Sequence, residues 1–207
     1  MVDLSCSVET FVHTDHRRKA RKALGSLEVE RCTSPLDFLE DWTALYKILI
    51  QRHQITGIAA FSSDCFAKQL SVPGMVMFRA MHNDASVAML LWYEQGERVY
   101  YHLGASSQVG YQLGASYALF DYAIKYFASR GFAWLDLGGR AGLENSRESG
   151  LSRFKRGWAN ETKTAWFCGR IFDKEKYREI LATGGYQEGR YFPAYRQSDF
   201  YRSAIVS

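Results

Sequence analysis

The stretch WLDLGGRAGLENSRESGLSRFKRGW, Trp134 to Trp158, decides how the rest of the chain is read. It continues an apolar run, Phe132 to Leu137, that has the composition of a short buried strand interrupted by one acid, Asp136. Gly138-Gly139 follows at once, then a polar loop with Arg140, Asn145, Ser146, Arg147 and Ser149, and finally Arg153-Phe154-Lys155-Arg156-Gly157-Trp158. A strand that runs into glycines and then into cations set among aromatics suits an anion-binding edge of an α/β sheet, with Gly138, Gly139, Arg140 and Arg156 as its candidate contacts. Each feature also has a plainer reading. A glycine pair makes turns, Asp136 can cap the glycine loop behind it, and RFKRGW can begin a strand with solvated charges.

Working upstream, Arg98 to Leu103 reads as a strand whose period of two places Tyr100 and His102 on one face and Tyr101 and Leu103 on the other. Gly104-Ala105-Ser106-Ser107 leaves that strand for a helix, with Leu113, Tyr117, Phe120, Ile124 and Phe127 at helical spacing and Gly131 as its stop. Strand, glycine-bearing loop, helix and strand form the unit that offers backbone N–H groups to an anion, so Gly104, Ser106, Tyr111 and Gly114 are candidate ligand contacts beside Tyr101. Two more strands precede it, Met75 to His82 and Ser86 to Tyr93 or Glu94, separated by the turn signals Asn83-Asp84 and Gln95-Gly96-Glu97, which predicts an antiparallel meander.

Earlier still, Ser34-Pro35 starts a helix with Leu36, Leu39, Trp42, Leu45 and Leu49 on one face, ending near Arg52-His53, two cations that suit a helix C-terminus. Ser63-Asp64 caps a short helix through Leu70. Arg17 to Lys22 holds five cations in six positions and reads as a helix that is cationic nearly all round, either solvated or in contact with phosphate or RNA. Downstream, Thr162 to Phe172 has strand composition, Asp173 caps a helix to about Leu181, and the aromatic tail Tyr191 to Arg196 is expected to pack back on the domain.

Composition bounds the alternatives. With 207 residues, 47% hydrophobic and 15% aromatic, the chain can build one sizeable core. A net charge of +4 permits a phosphate-bearing ligand without demanding nucleic acid. Cys6, Cys32, Cys65 and Cys168 are scattered without metal-ligand spacing, so no metal is expected. No apolar run has the length of a membrane span and the first residues lack signal-peptide order, so a cytoplasmic protein is expected.

The pattern LDLGG followed by Gly150-Leu151-Ser152-Arg153-Phe154-Lys155-Arg156-Gly157-Trp158 resembles the C-terminal half of the Fem-type aminoacyltransferases and related BioF2-like acetyltransferase domains, which share the GNAT fold. The likeness runs from about Arg17 to Arg196, through Leu45-Tyr46, Arg52-His53 and Gly57. It implies an α/β (α+β) architecture, a GNAT-like mixed, mostly antiparallel sheet flanked by helices, with a basic N-terminal segment over residues 1–33 and the acyltransferase domain over 34–207. It also implies an N-acyltransferase or aminoacyltransferase that moves an acyl group from acetyl-coenzyme A, another acyl-CoA or a charged tRNA to an amine, such as one of a cell-envelope or polysaccharide precursor. The alternative is a non-catalytic partner domain, and whether a second subunit completes the chain as a homodimer stays open.

The resemblance further implies that Lys155 lies beside donor phosphate or developing charge. From residue chemistry, the candidate bases are His102 and Asp136, and Tyr101 or Tyr100 could donate a proton to a leaving group. One departure stands out. The usual acetyl-coenzyme A loop is Arg/Gln-x-x-Gly-x-Gly/Ala, whereas Gln108-Val109-Gly110-Tyr111-Gln112-Leu113-Gly114-Ala115 sets its glycines out of step.

Overall fold

A computed structural model describes residues 1–139, 150–166, 168–187, 189 and 191–196. In chain order the elements are β1 (Val2–Asp3), α1 (Val8–Phe11), α2 (Thr14–Leu24), β2 (Glu28–Cys32), a 3-10 turn (Pro35–Phe38), α3 (Leu39–His53), a second 3-10 turn (Gly57–Ala59), α4 (Ser63–Leu70), β3 (Met75–His82), β4 (Ala85–Gln95) and β5 (Arg98–Ser106). Then come α5 (Gln108–Leu113), α6 (Ala115–Ser129), β6 (Trp134–Asp136), α7 (Gly150–Arg156), α8 (Lys174–Thr183) and a last 3-10 turn (Ala194–Arg196). The described strands form one sheet in the order β1-β6-β5-β4-β3-β2. Each pairing is antiparallel except β5 with β6, which is parallel. This is the mixed, mostly antiparallel sheet flanked by helices that the sequence predicts.

Two apolar layers sandwich the sheet, because the central strands are apolar on both faces. Val76, Phe78 and Ala80 of β3 point to one layer with Leu90 and Trp92 of β4, Val99 of β5 and Leu135 of β6, under Leu119, Phe120, Ile124 and Phe127 of α6. Met75 and Met77, with Met89 and Leu91, point to the other, under Trp42, Leu45 and Tyr46 of α3 and Phe66 and Leu70 of α4. Asn83 and Asp84 both take left-handed backbone (φ 49° and 61°), the conformation of the tight two-residue turn that joins β3 to β4. The basic helix is not cationic all round. His16, Ala20 and Ala23 of α2 recur at helical spacing and are buried, which lets α2 lie against α6.

Several expectations are corrected. Pro35–Phe38 forms a 3-10 turn without a side-chain cap from Ser34, so α3 starts at Leu39, and Leu36 is exposed rather than part of the apolar face. The cap of α4 is Ser62, whose Oγ accepts the Cys65 N–H at 3.2 Å, not Ser63. The helix after Ser107 breaks at Gly114 (φ +72°) into α5 and α6. RFKRGW begins no strand: its first four residues end α7. Thr162 to Phe172 forms no strand among the described residues, and Trp166 and Phe172 are 84% and 89% exposed, because no neighbouring edge pairs with them. The helix from Asp173 forms as predicted, with Asp173 Oδ1 accepting the Lys176 N–H at 2.8 Å.

Candidate active site

The parallel pair is where the sheet opens. β5 and β6 match Arg98 with Trp134, Val99 with Leu135 and Tyr100 with Asp136, and there β6 ends while β5 continues to Ser106. Among the described residues no strand pairs with that edge of β5 from Tyr101 onward. Asp136 contributes to the parting. Its Oδ1 accepts the Gly138 N–H at 2.8 Å, closing a short turn whose positive φ at Gly138 (+76°) suits glycine and carries the chain out of the sheet.

Lys155 reaches into this opening from α7. Its Nζ is 3.5 Å from the Gly138 carbonyl oxygen and 5.2 Å from the centroid of the Tyr101 ring. Burial lowers the pKa of the ammonium group, and the nearby Asp136 carboxylate works against that shift. Tyr101 lies along β5 over Gly104, where an added Cβ would stand 2.6 Å from the phenol oxygen. Trp92 and Phe120 pack against its ring at 5.2 and 5.3 Å, and burial pushes the phenol pKa up, so it keeps its proton.

The residue types of the RFKRGW segment follow from this packing. Phe154 and Trp158, four apart, fall on one side, with Phe154 edge-on to Phe120 at 4.9 Å and Trp158 stacked on Phe120 at 5.9 Å and fully buried. Lys155, one residue round the helix from Phe154, is thereby turned toward β5 and β6. A Cβ at Gly157 would overlap the His16 ring, so glycine is required there. Arg156 is exposed on α7, and Gly139 has open space beside it.

His102 is separated from this group by a β-bulge. Leu91 pairs with Leu103 and Trp92 with Tyr101, so His102 is an extra residue on β5. The bulge overturns the simple alternation: Leu103 joins His102 on the α3–α4 side instead of facing with Tyr101. The His102 Nε2 lies 2.9 Å from Gln69 Oε1, its ring is 5.1 Å from that of Tyr93, and burial lowers its pKa. The structure thus brings Lys155, Asp136, Gly138, Tyr101 and Gly104 together and sets His102 on the opposite face of the same strand.

Ser106 ends β5 opposite Ala88, and the turn into α5 uses its own backbone groups. The Ser107 N–H donates to Val87 O at 2.8 Å and Ser107 Oγ accepts the Gly110 N–H at 3.1 Å. A Cβ at Gly110 would overlap Val87 O, so this glycine lets α5 approach β4, while Gly114 separates two helices. The out-of-step glycines therefore serve packing. Arg52, which sequence reasoning left to the helix dipole, instead extends to this turn: its guanidinium donates to Gln108 Oε1 at 2.9 Å and lies 5.0 Å from the ring of Tyr111, which is 70% exposed. Arg140 lies outside the described residues. Sequence reasoning also missed His16 and Gln69. The buried spacing of His16 with Ala20 and Ala23 was a signal for the first, and nothing marked the second.

Among the described residues no group of three or more His, Cys, Asp or Glu is placed to hold a metal ion, and no helix is long and apolar enough to cross a membrane. No curated protein gives a significant match to the sequence. Among solved structures, FemX superposes with a TM-score of 0.63 at 15% identity, over 76% of this chain and 57% of that one, so this chain spans little more than half of FemX. An aminoglycoside acetyltransferase from an uncultured soil metagenomic sample, in complex with sisomicin, gives 0.53 at 16% identity over 71% of this chain and 98% of its own. The aminoglycoside N-acetyltransferase AAC(6')-Iy in complex with CoA gives 0.50 at 14% identity over 70% and 94%. At these identities the likeness is one of fold. The sequence itself carries the assignment: the profile of the Acetyltransferase (GNAT) domain matches residues 12–156, more than half of the chain, and the protein belongs to that family of acyltransferases.

Proposed function

We propose that the chain transfers an acyl group from acyl-coenzyme A to a primary amine of a cell-envelope or polysaccharide precursor in the cytoplasm, at the opening between β5 and β6. The observation that carries this reading is the position of Lys155, a half-buried cation held beside a strand edge that has no partner among the described residues. An extended donor arm with amide groups can complete the ladder along Tyr101 to Ser106, and Arg52 with Tyr111 stands where its phosphates would leave the sheet. Lys155 then faces the carbonyl, and its half-buried cation stabilises the oxyanion of the tetrahedral intermediate. His102, from the other face, serves as general base for the attacking amine. Tyr101, which keeps its proton, is a hydrogen-bond donor to the leaving sulfur. Asp136 holds the Gly138 turn, and the residues of that turn flank the acceptor.

A charged tRNA as donor is the second reading, favoured by the exposed cations of α2 and by the resemblance of the LDLGG and RFKRGW pattern to the Fem-type aminoacyltransferases. Calorimetry at low salt with acetyl-CoA and, separately, with a mixed charged tRNA pool separates the two. Saturable binding of acetyl-CoA that weakens in Lys155→Ala supports the first. Binding of tRNA alone, lost with Lys155→Ala and not merely with added salt, supports the second. Silence from both sinks the site.

A further inference from the structure

Among the described residues, the C-terminal turn of α7 has one carbonyl that no backbone group takes. Gly157, Trp158 and Ala159 donate their N–H groups to Arg153 O, Lys155 O and Arg156 O, at 3.2, 3.1 and 3.1 Å, and Phe154 O is passed over. His16 Nε2 lies 3.0 Å from that oxygen. Carbonyl oxygen can only accept, so Nε2 carries the hydrogen. The other ring nitrogen, Nδ1, is buried with no hydrogen-bond partner among the described residues, which leaves the ring neutral in a single tautomer. Tyr117, Phe154 and Trp158 surround the ring at 5.1 to 5.5 Å between centroids. Three residues earlier, the His13 N–H donates to Gly157 O at 2.9 Å.

We propose that His16 is a positioning residue for Lys155: by capping the end of α7 at Phe154 O, it fixes the rotation of the short helix that aims Lys155 between β5 and β6. The inference rests on the reading of Lys155 given above. Four facts converge on it. α7 is seven residues long and buries none of them fully, so the seat of Phe154 on Phe120 holds one side of it and the end of the helix needs a second anchor. The atom that His16 holds belongs to the residue directly before Lys155. Gly157 has room for no side chain because the His16 ring occupies that space. The neutral ring is the one state in which the donor is supplied without a second N–H buried unsatisfied.

The test reads Lys155 directly and needs no substrate. Lysines of the intact chain are reductively methylated with ¹³C, and the Lys155 signal is assigned as the one absent from Lys155→Arg. In the native protein that signal is expected to be displaced by the Tyr101 ring and to titrate below the ordinary lysine range. His16→Phe, which fills the aromatic space without a donor, is expected to return the signal to the exposed-lysine position and titration range, with far-UV circular dichroism unchanged. His16→Gln, whose amide nitrogen can reach Phe154 O, is expected to restore the displaced signal. Should His16→Phe fail to fold, His16→Asn, too short to reach that oxygen, replaces it with the same expected loss. An unmoved Lys155 signal in a folded donor-less variant overturns the inference, as does a His16→Gln spectrum that matches His16→Phe. If His16→Phe moves the signal yet Lys155→Ala leaves acetyl-CoA and tRNA binding unchanged, the positioning holds and the function proposed for Lys155 fails.

Discussion

Lys155 Nζ and the Gly138 carbonyl oxygen, 17 residues apart in sequence, stand 3.5 Å from each other and so tie α7 to the turn that ends β6. The contact places a cation where β5 and β6 part, and burial disfavours its charge while Asp136 sustains it. Removing the cation tests function more than stability. Lys155→Met keeps the aliphatic stem, and its thermal midpoint is expected within a few degrees of the parent. Acyl transfer is expected to fall by about two to three orders of magnitude, the usual cost of losing one charge stabiliser in a sheltered site. Parallel melting curves and single-turnover assays with acetyl-CoA check both halves, and full turnover by Lys155→Met would remove Lys155 from the chemistry.

Gly157→Ala sets a methyl group into the His16 ring, so either that ring or the end of α7 must move. The expected cost is about 1–3 kcal/mol, the range for forcing extra volume into a packed site. Urea unfolding followed by tryptophan fluorescence measures it, since Trp158 is fully buried beside this contact. An unchanged midpoint would mean that the His16 ring swings aside freely.

Gly110→Ala probes the turn into α5 in the same way. The new Cβ meets the backbone carbonyl of Val87, which cannot turn aside as a side chain can, and a loss of about 1–3 kcal/mol is expected together with weaker acetyl-CoA binding. Gly114→Ala forces left-handed backbone at φ +72° on a residue with a side chain, at a cost of about 1 kcal/mol, without a comparable collision. Calorimetric affinity compared between the two variants separates displacement of α5 from simple backbone strain.

Acid should weaken the protein through its histidines. Burial lowers the pKa of both His16 and His102 in the folded state, so the unfolded chain binds more protons over the interval below the ordinary histidine value of about 6.5. The stability that the neutral rings contribute is therefore complete above that value and is lost as the pH falls toward the depressed folded values. Between pH 7.5 and 5.5 the urea midpoint of the native chain is expected to drop more than that of the double variant His16→Gln/His102→Gln. Equal drops would assign acid sensitivity to other groups.

How much of this was legible depended on whether a residue's partner lay nearby in sequence. β3 was read to the residue, Met75 to His82, because an apolar run between turn formers admits few other structures. Asp136 was legible as a cap for the glycines behind it, a bond that spans two residues. Residues 162 to 172 were misread because strand composition says nothing about whether an edge is available to pair with. In RFKRGW the aromatics and cations looked like a strand taken singly, whereas the four-residue step from Phe154 to Trp158 belongs to the end of a helix seated on Phe120. The glycines at 110 and 114 looked misplaced because a phosphate loop was the template, and the nearby demand came from Val87 O. His16 was the least legible, since its hydrogen bond reaches 138 positions along the chain to a main-chain atom that no side-chain pattern can advertise.

The early end of β6 has a consequence for inheritance. On the proposed docking, an incoming arm meets main chain along Tyr101 to Ser106, and peptide groups are identical whatever side chains they carry. Substitutions at the positions that carry no side-chain role can drift without erasing such a docking rail, whereas Tyr101, His102 and Gly104 are bound by the contacts and roles described above. A lineage built on this opening is thus free to change the rest of that strand without changing how it grips the carrier.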